Sequence, residues 1–129
     1  MSEYEYLDLI FTARDSTGFH AMNFAAITFS WLVTAYFVGR KLSVFQVTAL
    51  TFLYGTFSPF PMMSAHESLT AYRNLTLRYL EAFKRDEAVS LLMQYGPELL
   101  IVLFGTLWSV SVVFMFQTRG FDKEKGGRT

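Results

Sequence analysis

The chain has 129 residues, 11 Lys+Arg against 11 Asp+Glu, and no cysteine. Without cysteine there is no disulfide framework, thiolate zinc site, iron–sulfur cluster or cysteine nucleophile. A net charge of zero, with no basic stretch longer than a pair, gives no electrostatic footprint for nucleic acid.

The charges are distributed unevenly. Residues 18–39, 42–66 and 99–118 contain no Asp, Glu, Lys or Arg, so every charge falls in the remaining 62 positions. A soluble domain needs charged faces along most of its elements, and this chain withholds them from half its length. Apolar stretches of about 17–25 residues match the hydrocarbon core of a bilayer. The expected fold class is therefore all-α: a polytopic helical membrane protein with three transmembrane helices, plus an N-terminal and a central amphipathic interfacial helix. One membrane domain over residues 1–129 accounts for the whole chain.

Residues 1–18 open with Ser2-Glu3-Tyr4-Glu5, the Ser-x-x-Glu spacing of a capping box. Tyr4, Leu7, Ile10 and Phe11 follow at helical spacing and predict a short amphipathic helix, with tyrosines suited to a membrane interface. The segment is acidic and lacks a basic n-region, unlike a secretory signal peptide. Asp15-Ser16-Thr17-Gly18 reads as a break, with Ser16 or Thr17 capping the first span.

That span is expected over 19–38. It ends at Gly39-Arg40-Lys41, where a helix-stopping glycine meets two headgroup-anchoring cations. Ser43-Val44-Phe45-Gln46 is a second capping box, so the next helix starts at once and the two form an antiparallel hairpin. The second span, 44–63, is broken by Ser58-Pro59-Phe60-Pro61, because proline removes a donor and disfavours helix before it.

Residues 64–96 are the hydrophilic connection. Leu69, Tyr72, Leu75, Tyr79, Leu80 and Phe83 fall within one arc, opposite Arg78, Glu81, Lys84 and Arg85, which predicts an amphipathic helix lying on the bilayer. A second short piece over 88–95 ends at Gly96-Pro97. Pro97 is placed to open the third span, 97–116. A polar tail, 117–129, follows.

Lys and Arg in the flanking segments set orientation. One side carries Arg40, Lys41, Arg119, Lys123, Lys125 and Arg128; the other carries Arg14, Arg73, Arg78, Lys84 and Arg85. Six against five, with the basic turn closest to the membrane, favours N-out and C-in. The lack of cysteine and of a cleavable signal suits a bacterial cytoplasmic membrane.

Two groups of residues are candidates for function. Small and hydroxylated residues form stripes on each span: Asn23, Ala26, Ser30 and Thr34; Thr48, Thr51, Gly55 and Ser58; and the pair Gly105 and Ser109. Helix packing explains such stripes in most membrane bundles, and a water-filled path in an oligomer is the sharper reading. The second group is His20, His66, Glu67 and Glu98, which a folded-back connection would bring to one membrane face. Two histidines and two carboxylates could bind a divalent cation or relay protons. Solvation by headgroups is the plainer account, since a ligand set needs geometry and not mere availability. Accordingly no metal and no cofactor is expected.

No Gly-rich phosphate loop, nucleophile elbow or catalytic Ser/His/Asp order is present, so the chain is expected not to be an enzyme. The leading expectation is a small membrane protein that acts by assembly, with itself or as a subunit of a membrane complex. The alternative is an ion- or solute-conducting homo-oligomer in which the second span lines the path, because broken helices often mark substrate sites in transporters.

Overall fold

The structure is a computed structural model that describes residues 1–85 and 90–126, with side chains as far as Thr118. Every regular element among them is helical. Helix α1 covers Glu3–Val38, α2 Val44–Phe57, α3 Pro59–Ala82 and α4 Leu91–Gly126, with a short 3-10 turn at Gly39–Lys41 between the first two.

Both capping boxes form. Ser2 Oγ accepts from the Glu5 amide and Glu5 Oε2 accepts from the Ser2 amide at 2.7 Å. Ser43 and Gln46 repeat the exchange at the start of α2. Between the two boxes the chain differs from expectation, because no break occurs at residues 15–18. Ser16 and Thr17 do not cap a helix: Ser16 Oγ bonds Ser68 Oγ of α3 at 3.0 Å, and Thr17 Oγ1 donates to its own helix at Ala13 O. Docking against α3 outweighs the weak helix preference of Ser, Thr and Gly. The expected N-terminal interfacial helix and first span are thus one helix of 36 residues, about 54 Å long.

Helix α1 packs most extensively on α3, and α4 packs on both. The pairings fix the directions. Thr28 meets Tyr54, Ser16 meets Ser68 and Glu3 meets Tyr79, so α2 and α3 descend past α1 as one antiparallel limb. Phe24 stacks on Phe104, and Trp31 bonds Ser111, so α4 runs parallel to α1. The result is an up-down-up bundle of three long limbs.

The middle limb is not broken. Ser58 keeps helical angles (φ −66°, ψ −29°), its amide still reaches Tyr54 O at 3.0 Å, and Pro59 sits where a first-turn proline has no amide to lose. The expected boundary at 63/64 between second span and connection lies inside α3. Among the described residues two helices, over Glu3–Lys41 and Leu91–Thr118, are long and apolar enough to cross a membrane, not three. Helix α2 has only 14 residues, and α3 carries charged side chains from Glu67 onward.

The expected central interfacial helix is corrected too. Its apolar arc faces protein: Tyr79 is buried, and it and Phe83 pack against Tyr6 of α1, at 6.3 and 6.1 Å between ring centroids. Helix α3 ends through Lys84 at φ 50°, with the Arg85 amide returning to Leu80 O. The expected piece over 88–95 is the start of α4 from Leu91, capped by Ser90 through the Met93 amide; residues 88 and 89 lie outside the described ones. Pro97 does not open the helix but lies inside it, buried, and the backbone stays helical to Gly126 where a polar tail was expected.

Trp31, Ala35, Val47, Tyr54 and Met115 form the core, with Leu50, Trp108 and Val112 packed around it. At its lower edge Gly39 is buried, and a Cβ there would stand 3.4 Å from Thr118 Oγ1 and 3.5 Å from Met115 Sδ. Those are ordinary contacts, so the end of α1 lies against α4 with room for no more than a small side chain, and the Gly39 backbone is ordinary.

Candidate functional site

At the centre of the core, polar groups of all three limbs meet inside an apolar surround. Trp31 and Tyr54 stack with centroids 4.6 Å apart and planes 7° from parallel. The Tyr54 hydroxyl pairs with Thr28 Oγ1 at 3.2 Å, and the Trp31 indole donates to Ser111 O at 3.0 Å. Trp108 donates to Ser58 Oγ at 2.8 Å, and Ser58 Oγ donates onward to Tyr54 O at 2.6 Å. A buried polar group without a partner costs about 1–3 kcal/mol, so these pairings fix the height of each limb relative to the others. Thr51 Oγ1 and Thr70 Oγ1 are buried without a hydrogen-bond partner.

The stripes fall on different sides of the bundle. On α1, Ala26 and Ser30 are exposed, while Asn23 and Thr34 are half-buried; Ser30 and Thr34 donate to carbonyls one turn back. The buried face of α1 is instead Phe24, Thr28, Trp31 and Ala35. Gly105 has open space around it, and Ser109 is exposed beside it, bonded to Gly105 O. On α2 the stripe is divided. Thr48 is exposed, Thr51 half-buried, and Gly55 and Ser58 lie under Trp108.

The four polar residues at the upper edge are not assembled into a ligand set. No three or more His, Asp or Glu among the described residues are grouped so as to hold a metal ion. His20 is half-buried with its ring edge-on to Phe19, His66 is half-buried, and Glu67 is exposed. Glu98 pairs with Arg73, whose Nη1 lies 3.1 Å from Glu98 Oε1 and also donates to Gln94 O at 3.1 Å. Arg73 thereby ties α3 to α4.

The same two helices enclose a feature invisible in the spacing of residues: an apolar groove of about 400 Å³ between α3 and α4. Leu69 and Tyr72 form one wall, and Met93, Gly96 and Leu100 the other, with Phe104 at one end. The helices pass close to each other at Gly96, where an added Cβ would make an ordinary contact with Leu69 Cδ2 at 3.5 Å. Phe104 is held by its stack on Phe24, 4.3 Å between centroids.

The residues that sequence reasoning missed are Thr28, Trp31, Tyr54, Arg73, Trp108 and Ser111. A usable signal existed for the aromatic ones, because a tryptophan or tyrosine in a charge-free window still carries a polar tip that needs a partner. Comparison with protein families, with characterised proteins and with solved structures finds no match to this chain.

Proposed function

We propose that the chain is a membrane-embedded helical module that works by assembly, with further copies of itself or with another membrane protein. The observation that carries this reading is the common height of its three charge-free windows. The Phe24–Phe104 and Trp31–Ser111 contacts set residues 18–39 beside residues 99–118. The Thr28–Tyr54 and Ser16–Ser68 contacts set residues 42–66 at the same level. About 20 residues of helix give a belt roughly 30 Å tall, the thickness of a bilayer's hydrocarbon core.

The belt faces outward. Only 22% and 11% of the most apolar stretches of the two long helices are buried, whereas a core helix of a soluble protein is mostly buried. Phe29, Phe37, Phe45, Phe52, Val102 and Val113 are all exposed at this level. Because α4 runs parallel to α1, a chain that crosses with both must return between them. The return falls to α2 and the first turns of α3, two pieces held in line by Ser58. Above the belt, the remaining turns of α1, α3 and α4 form a stalk that carries the charged residues Glu3, Asp8, Asp15, Glu67 and Glu81. The Arg40–Lys41 turn at the other end is assigned to the inner face.

Assembly is favoured by the residues that internal packing leaves unused. Ala26 and Ser30 on α1, and Gly105 and Ser109 on α4, are small and sit on outward surface within the belt. Small residues let helices approach closely in lipid. The test is native mass spectrometry of the chain released from lipid nanodiscs. A fixed stoichiometry above one, with itself or a second protein, is expected; a uniform monomer overturns assembly. Release of the chain from membranes by alkaline carbonate overturns the membrane reading.

A further inference from the structure

We propose that the groove between α3 and α4 holds one acyl chain of a membrane phospholipid, with Arg73 at the headgroup. This rests on the membrane-embedded reading above and adds a ligand class to it. The walls are the side chains of leucine, methionine, tyrosine and phenylalanine, and the volume of about 400 Å³ falls in the range of ligand pockets, roughly 300–1,000 Å³.

The position of the groove selects the occupant. Leu99 and Leu103 line it and are also 55% and 58% exposed, at the point where the charge-free window of α4 begins. The groove therefore opens onto the belt and climbs from there toward Ser90 in the stalk. A chain entering from the hydrocarbon would leave its glycerol at the height of Tyr72 and Arg73. Arg73 follows Tyr72 in sequence and does not line the groove itself; with Asn74, Leu77 and Gln94 it lines a separate cavity.

Hydrogen-bond donors remain as well. Among the described residues Arg73 uses Nη1 alone, on Gln94 O and the Glu98 carboxylate. A guanidinium carries five N–H donors, so Nε and Nη2 remain for a phosphodiester oxygen while Glu98 holds the group in place. The Arg73 side chain is 24% exposed, open to a headgroup but not free in water.

The experiment counts lipids retained by the detergent-solubilised full chain in native mass spectrometry after adding palmitoyl-oleoyl phosphatidylglycerol. One lipid per chain is expected to survive. Leu100→Trp and Leu103→Trp, which fill the groove, are expected to lose it, and Val102→Trp, on exposed belt surface, to keep it. Arg73→Gln is expected to weaken retention by roughly tenfold, as for loss of a charge-assisted hydrogen bond. Helix content by circular dichroism confirms that each variant is folded. Leu103 is exposed, so that variant decides if Leu100→Trp does not fold. Wild-type chain that floats with liposomes yet retains no lipid overturns the groove assignment and leaves the membrane reading standing. Retention unchanged in both filled variants, or displacement of the phospholipid by free oleate, also overturns it. Failure to float with liposomes sinks both.

Discussion

The Trp108 indole donates to Ser58 Oγ at 2.8 Å, at the point where α2 passes into α3. Ser58 is fully buried and its hydroxyl is already committed to Tyr54 O, so it serves as acceptor and donor together. One small side chain thus joins α4 to the α2–α3 junction of the middle limb. Ser58→Ala strands the Trp108 N–H and is expected to lower stability by about 1–3 kcal/mol. Trp108→Phe should cost a comparable amount, and the double variant clearly less than the sum of the two. Equilibrium unfolding in bicelles measures all three; simple additivity would mean that the bond contributes nothing.

Lys84 terminates α3 at φ 50°, a left-handed conformation that suits glycine and strains an L side chain. Lys84→Gly should raise stability by about 0.5–1 kcal/mol, since relief of that strain exceeds the added freedom of the unfolded chain. A fall in the unfolding midpoint would show that the lysine side chain makes a contact of its own.

The first turn of α1 is latched to the end of α3. Glu3 Oε1 accepts from the Tyr79 hydroxyl at 2.6 Å and from Arg85 Nη2 at 2.9 Å. The ion pair is about half exposed, so the charge itself is worth about 0.2–1 kcal/mol and is screened by salt. Glu3→Gln should leave the global unfolding midpoint nearly unchanged but speed amide exchange over residues 3–10 of α1. Tyr79→Phe should do the same with less dependence on salt. Exchange that accelerates equally along all four helices would contradict a local latch.

Since the natural chain has no cysteine, a single introduced thiol reports topology without background. Lys41→Cys at the basic turn and Asn74→Cys on the exposed stalk surface should react with a membrane-impermeant maleimide from opposite sides. In intact cells Asn74→Cys is expected to label and Lys41→Cys only after permeabilisation. The reverse pattern would invert the orientation, and labelling of both from outside would refute a crossing.

Much of the local structure was legible because its causes are local. Ser2 with Glu5, and Ser43 with Gln46, satisfy amides three residues away, and spacing alone reveals such an exchange. The missing break at residues 15–18 had a distant cause: Ser16 finds its partner on α3, 52 positions along. The apolar arc of α3 was correctly seen as an arc, but periodicity does not say whether lipid or protein covers it. Tyr6 settles that, and nothing near Tyr79 in the sequence points to Tyr6. Pro97 misled for a related reason. Ser90 starts the helix earlier, and Gly96, lacking a Cβ, relieves the clash that disfavours helix before a proline. Charge-free windows disclosed the belt's existence, whereas its common height required the pairings.

The chain contains two tryptophans, and both lie in the central seam, one stacked on Tyr54 and one bonded to Ser58. Trp31 meets Tyr54 when α1 and α2 form their hairpin, but its bond to Ser111, 80 positions along, waits for α4. Trp108 meets Ser58 only when α4 docks. The two indoles therefore report two different steps of assembly, the hairpin and the docking of the last helix.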